Sequence, residues 1–126
     1  MKQHILIVDD DMPMRCLLKN ILSKKYEIIC VNSAMEACNW LSDGNFPDLI
    51  VSDLEMPEMS GMEFLTTLRE SGLYKNIPVV ILSTLQDERT KQSCLSEGAV
   101  AYVGKPFELE EFLAAIHTPL VSKMFL

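Results

Sequence analysis

A short aliphatic run that stops on an acid narrows the possible folds of this chain more than any other feature. In Pro47-Asp48-Leu49-Ile50-Val51-Ser52-Asp53, the run Leu49 to Val51 has the length and β-branched content of a strand buried on both faces. Such strands belong to parallel sheets covered by helices on either side. Asp53 closes the strand, and the carboxyl ends of strands in open α/β sheets face the crevice where ligands bind. Glu55, Pro57 and Gly61 read as a loop leading into a helix near Ser60, so Asp53 is expected at a loop mouth and not in the core. Capping a turn is the plainer use of a loop aspartate, and Asp53 alone does not decide between the two.

The same pattern recurs along the chain. Ile5-Leu6-Ile7-Val8 ends in Asp9-Asp10-Asp11, a second buried strand finishing in acid. Pro13 suits the first turn of a helix capped at Asp11 or Met12. Met14, Leu17, Leu18, Ile21 and Leu22 give that helix one apolar face. Tyr26 to Val31 reads as a strand ending at Asn32-Ser33 without an acid. A second helix follows, with Ser33 and Glu36 at capping-box spacing and a stripe of Ala34, Ala37, Cys38 and Leu41, before Asp43-Gly44-Asn45 closes it. Ser60 and Glu63 repeat the box ahead of a third helix whose Phe64, Leu65 and Leu68 point inward, and Ser71-Gly72 breaks it. Ile77 to Leu82 is a fourth strand, ending in Ser83-Thr84.

The helix expected over about 86–97 has little apolar face beyond Cys94 and Leu95, so it should be the least firmly anchored. Gly98 is its expected stop. A fifth strand, Val100 to Val103, ends in Gly104-Lys105-Pro106. The last helix carries Leu109, Phe112, Leu113 and Ile116 and is expected to be interrupted at Pro119. The apolar tail 120–126 then extends that helix after a kink or docks elsewhere.

Five strands alternating with five helices predict a doubly wound α/β sandwich, and right-handed crossovers put every strand's carboxyl end on one edge. At 126 residues the chain is read as one domain. Its net charge of −7 argues against nucleic acid or an anionic membrane and for a cationic partner or ion. Cys16, Cys30, Cys38 and Cys94 form no C-x-x-C pair, which fits reduced thiols in a cytosolic core. With no run long enough to span a bilayer and no signal peptide, the expected location is the cytoplasm, without membrane insertion. Trp40 is expected to be partly exposed packing, His4 and His117 to lie at the surface, and most of the eight methionines to fill core and loop gaps.

Four of the five strand ends on that edge carry chemistry: Asp9 and Asp10, Asp53, Ser83 and Lys105. Three carboxylates in one crevice repel, so some protonate or a cation neutralises them. An all-oxygen set suits Mg²⁺ or Mn²⁺, and no nitrogen or sulfur ligands are on offer for zinc. A phosphoryl group bridging such a metal and one carboxylate would find Lys105 to pair its charge and Ser83 to donate a hydrogen bond. Asp53, central in the sheet, is then the best nucleophile, and Asp9 and Asp10 the natural metal binders.

Ile-Val-Asp-Asp at 7–10, Ser-Asp-Leu-Glu-Met-Pro-Glu-Met-Ser-Gly at 52–61, Ser83-Thr84, Gly98-Ala99 and Lys105-Pro106-Phe107 together resemble the receiver domain of a two-component response regulator, of the single-domain chemotaxis type. The resemblance implies one receiver domain over 1–126, with a core of about 4–117 and a tail at 118–126, in a flavodoxin-like sheet of order 2-1-3-4-5. It implies a phosphorylation-dependent switch that accepts a phosphoryl group on Asp53 from a sensor histidine kinase or a histidine phosphotransfer protein. Mg²⁺ would be held by Asp10, Asp53 and the backbone carbonyl of Glu55, with Asp9 reaching it chiefly through water. Ser83 would swing toward the phosphoryl group while Tyr102 rotates inward, changing the surface offered to a downstream protein. The expected chain is a stand-alone receiver and a monomer when unphosphorylated, with no enzymatic activity beyond its own phosphoryl acceptance and hydrolysis.

Thr84 and Glu55 depart from the commonest residues of that family or fall at a variable place, so both are expected to modulate access to the phosphoryl group. Asp11 is expected to cap its helix, and Met12 and Met14 are candidates for docking the phosphodonor. Competing classes are a small aspartyl-phosphate hydrolase of the haloacid dehalogenase type, for which Glu55 imitates the second acid only loosely, a flavodoxin-like flavin binder, and a scaffold that has lost phosphorylation.

Overall fold

A computed structural model of the chain describes residues 2–124. Its elements alternate without exception: β1 (His4–Val8), α1 (Met12–Leu22), β2 (Glu27–Val31), α2 (Ala34–Ser42), β3 (Leu49–Asp53), α3 (Gly61–Glu70), β4 (Val79–Ser83), α4 (Glu88–Ser96), β5 (Ala101–Gly104) and α5 (Leu109–Met124). All strand pairs are parallel, in the order β2-β1-β3-β4-β5, as expected. Period-two alternation divides the sheet's side chains between two cores. Leu6, Val8, Ile50, Val79 and Ile81 pack with Phe64, Leu65 and Leu68 of α3. Ile5, Ile7, Leu49, Val51, Val80 and Leu82 pack with Leu18 of α1 and Phe112 and Ile116 of α5.

Helix starts follow short-range chemistry. Asp11 caps α1, accepting the Met14 amide at 3.2 Å. Ser60 and Glu63 complete a reciprocal capping box on α3. On α2, Ser33 accepts the Glu36 amide, but the Glu36 carboxylate reaches past Ser33 to the amide of Asn32 at 2.8 Å. α4 starts at Glu88, later than expected, because Asp87 takes the cap and bonds the Thr90 amide. Its one fully buried side chain is Cys94, and Gly98 ends it at φ +107°, the left-handed conformation in which glycine is unstrained.

Four expectations need correction. Leu17 is 45% exposed, because α1 buries only Leu18 and Leu22. On α5 the buried residues are Phe112, Ile116 and Leu120, one turn apart, while Leu109 and Leu113 face out. α5 runs through Pro119 to Met124. The lost proline amide costs up to about 3 kcal/mol, but burying Leu120, 1% exposed, offsets roughly 1.5–3 kcal/mol of that. Thus 118–124 of the expected tail is helix, and 125–126 lie outside the described residues. All four cysteines are free thiols, yet only Cys94 is fully buried and Cys16 is exposed.

The remaining singletons fall as follows. Trp40 is half-buried against the α2/α3 core. Met56 is buried, Met14, Met59 and Met62 are half-buried, and Met12 and Met35 are exposed. His4 is exposed, as is His117, although the His117 Nδ1 lies 3.4 Å from Lys25 Nζ and 3.5 Å from the Tyr26 hydroxyl. No helix among the described residues is long and apolar enough to cross a membrane.

Candidate functional site

Register decides which side chains meet at the carboxyl edge. Val8 pairs with Ser52, Asp53 with Leu82, and Ser83 with Gly104, so the residues after these pairs emerge side by side. Asp9, Asp10 and Asp53 each offer one carboxylate oxygen, all within 4.8 Å of one another. Lys105, which follows β5, reaches back to Asp9 Oδ2 at 3.1 Å and Asp53 Oδ1 at 3.2 Å. One ammonium therefore faces two of the three acids.

The two buried acids are held differently. Asp9, 1% exposed, uses Oδ1 to accept the Asp11 amide at 2.9 Å and Oδ2 to face Lys105. Arg15, unremarked in the sequence, donates from Nη1 to the Asp9 carbonyl at 2.7 Å and fixes the acidic turn to α1. Asp53, 9% exposed, is more enclosed than a loop mouth suggests. Its Oδ1 accepts the Leu54 amide at 2.9 Å and also faces Lys105. Oδ2 has no partner among the described residues, and no buried side-chain oxygen lacks one, so Oδ2 is an oxygen that reaches solvent. Asp10 is exposed.

The charges answer to this crowding. Burial pushes the Asp53 carboxyl above its ordinary value, Lys105 opposes the shift, and Asp9 adds to it. Burial alone would depress Lys105, but Asp53 and Asp9 outweigh it and leave the ammonium above its ordinary range. With one cation against three carboxylates the pocket keeps a negative residue. Its all-oxygen donor set fits a hard divalent cation.

Behind Asp53 the chain doubles back tightly. The Gly61 amide donates to the Leu54 carbonyl at 2.8 Å, and a Cβ on Gly61 would fall 2.2 Å from the Asp53 carbonyl oxygen. Only glycine permits this approach, which tucks α3 under the strand end. At the mouth, Thr84 Oγ1 donates to Glu55 Oε1 at 3.3 Å, so the two residues expected to modulate access touch each other.

Ser83, fully buried, accepts the Leu85 amide on Oγ at 3.0 Å, and its hydroxyl also hydrogen-bonds the Tyr102 hydroxyl. Half-buried Tyr102 on β5 donates its hydroxyl to the Leu85 carbonyl, and burial raises its phenol above the ordinary range. Gln86 donates to the Lys105 carbonyl at 3.4 Å. The backbone of Leu85 and the side chains of Arg15 and Gln86 had no signal in spacing or type, since their contacts join segments far apart in sequence or use backbone atoms.

The family model for the response regulator receiver domain matches residues 5–117. Histidine kinase P4 of Formosa agariphila is 38% identical over 123 residues, which is 98% of this chain but 9% of that kinase. Two other matching histidine kinases are covered over 12% and 8% of their length, so what is shared with all three is one module of a much longer protein. Two-component response regulator ORR3 of Oryza sativa subsp. indica is 36% identical over 104 residues, covering 82% of this chain and 79% of that one. Among solved structures, the chemotaxis response regulator CheY4 of Vibrio cholerae superposes with a TM-score of 0.85 at 29% identity, covering 94% of this chain and 99% of that one. The receiver domain of a signal transduction histidine kinase from Syntrophus aciditrophicus gives 0.87 at 33% identity, covering 95% and 91%.

Proposed function

The chain belongs to the response regulator receiver domain family of two-component phosphorelay signalling, and from that premise we propose that Asp53 accepts a phosphoryl group from a phosphohistidine on a sensor histidine kinase or histidine phosphotransfer protein. The observation that carries this reading is the Asp53 carboxylate, with Oδ1 held by the Leu54 amide and Lys105 while Oδ2 stays open. Oδ2 attacks phosphorus, an oxygen–phosphorus bond forms as the nitrogen–phosphorus bond breaks, and the imidazole leaves. The Lys105 ammonium, already 3.2 Å from Asp53, pairs with the phosphoryl oxygens as charge moves onto them.

Asp10, Asp53 and the Glu55 backbone carbonyl would hold Mg²⁺, or Mn²⁺, with Asp9 acting through water. When bound, the ion neutralises the acids and aligns the phosphoryl oxygens. Glu55 and Thr84, joined across the mouth, then limit the approach of donor and water.

Phosphorylation adds roughly −1.5 to −2 charge and new acceptor oxygens. The Ser83 hydroxyl turns to them, leaving the Tyr102 hydroxyl and withdrawing Oγ from the Leu85 amide. That loosens the loop Thr84–Asp87, frees the Tyr102 hydroxyl from the Leu85 carbonyl, and lets Tyr102 turn inward. α4, with Cys94 its one fully buried side chain, is the cheapest element to shift. The altered surface of α4, β5 and α5 is what a downstream protein reads.

The test is intact-mass spectrometry after incubation with acetyl phosphate, with and without Mg²⁺. Wild type should gain one phosphoryl group in the presence of the ion, and Asp53→Ala should gain none. A wild type that stays unlabelled, or an Asp53→Ala protein that labels equally, overturns the reading.

A further inference from the structure

The amino edge of the sheet, opposite the acids, holds an open-sided groove of about 1030 Å³ between the α3–β4 connection, the start of β5 and the second half of α5. Three of the chain's exposed large apolar side chains line it: Phe46, Leu73 and Val100. Leu73, at 65% exposed, is the barest of them. Phe46 is held beside Tyr74, ring centroids 5.8 Å apart, which gives the groove a firm aromatic corner.

The charge beside this apolar surface runs against the chain's balance of 18 acids to 11 bases. Arg69 donates from Nε and Nη2 to the Gly98 carbonyl and from Nη1 to the Lys75 carbonyl. It is locked in place by neutral acceptors and has no carboxylate within 4 Å among the described residues. Lys75 is exposed and likewise unpaired among them. The acid nearest in the chain to Phe46, Asp48, is already used: it faces Lys123 at 3.7 Å and accepts the His4 amide at 2.8 Å. The groove thus joins unsatisfied positive charge to uncovered apolar area, a combination associated with a binding surface more than with scattered surface residues.

We propose that this groove docks a peptide segment of a partner protein in which carboxylates alternate with large apolar side chains, the apolar groups seating on Phe46, Leu73 and Val100 and the carboxylates meeting Arg69 and Lys75. The site lies at the opposite end of the strands from Asp53, and its Phe46, Leu73, Arg69 and Lys75 lie outside α4, β5 and α5.

The probes are three fluorescein-labelled twelve-residue peptides: Leu/Phe with Glu, Leu/Phe with Lys, and Ser/Gly with Glu. The first should bind saturably and weaken with added salt. Amide shifts in a ¹⁵N-labelled protein should cluster at 73–78, 98–101 and 114–123. Leu73→Asp and Lys75→Glu, both surface changes, should each weaken binding about tenfold while accepting a phosphoryl group from acetyl phosphate at the wild-type rate. Absence of binding, equal binding of all three peptides, or indifference to both substitutions overturns the proposal. So does a concentration-dependent dimer in sedimentation that Leu73→Asp disperses, because the occupant would then be a second copy of the chain.

Discussion

At the carboxyl edge, Asp9, Asp10 and Asp53 crowd one another, with the ammonium of Lys105 set against Asp9 and Asp53. At the amino edge, Phe46, Leu73 and Val100 stand uncovered beside Arg69 and Lys75. The same five strands and the same crossovers build both ends, so backbone geometry does not distinguish them. What differs is the kind of free energy left unspent: electrostatic repulsion at one end, unburied apolar surface at the other. The first suits bond-making with a charged group, the second suits contact with a macromolecule.

Removing Lys105 should expose that contrast most sharply. Lys105→Ala strands two largely buried carboxylates, and loss of one partner from such a cluster costs about 3 kcal/mol. Urea unfolding should show this loss, and a change within about 0.5 kcal/mol, typical of an ordinary surface lysine, would erase the distinction between the edges. Gly61→Ala comes next. A methyl group 2.2 Å from the Asp53 carbonyl oxygen forces the loop outward at about 2 kcal/mol, with slower labelling by acetyl phosphate as a second readout.

Asp53→Asn should move stability the other way. The Asp53 carboxyl is raised above 3.8, so its neutral form favours the folded state. That contribution is complete below pH 3.8 and is lost as pH climbs through the folded-state value. In metal-free buffer the Asn variant should match wild type in acid and exceed it at neutral pH, and thermal melts across that range decide the matter. Thr84→Ala cuts one exposed hydrogen bond to Glu55, and about 0.4 kcal/mol corresponds to roughly a twofold faster loss of the phosphoryl group. Rates unchanged within error would remove Thr84 from the mouth. At the other edge, Leu73→Asp should leave unfolding within about 0.5 kcal/mol of wild type, which sharpens the view that this side chain serves contact more than folding.

The sheet could be read from the chain because Ile5–Val8, Leu49–Val51 and Ile77–Leu82 are compact aliphatic runs punctuated by polar residues, a local pattern with a local meaning. Ser60 and Glu63 were equally legible, since a capping box needs four consecutive residues. Leu17 misled because helical spacing gives the width of an apolar face but not how much of it a neighbour covers. Pro119 misled because the burial that sustains α5 comes from Leu120, whose partners lie in strands far away in sequence. At the carboxyl edge the residue types were visible, but the partition of the Asp53 oxygens depends on a backbone amide and on a lysine 52 positions away. The amino-edge groove left no trace: Phe46 and Leu73 are single apolar residues in connections, common on any surface, and Val100 reads as the first residue of the fifth strand, although that strand begins at Ala101 and leaves it exposed.

Leu85 is gripped on both sides, its amide by Ser83 and its carbonyl by Tyr102. On the proposed reading, release of one grip would leave the other half of the same residue still held, so intermediate settings of the loop would be short of partners. If Ser83 and Tyr102 act as proposed, such a double hold would answer in steps, changing only when both release.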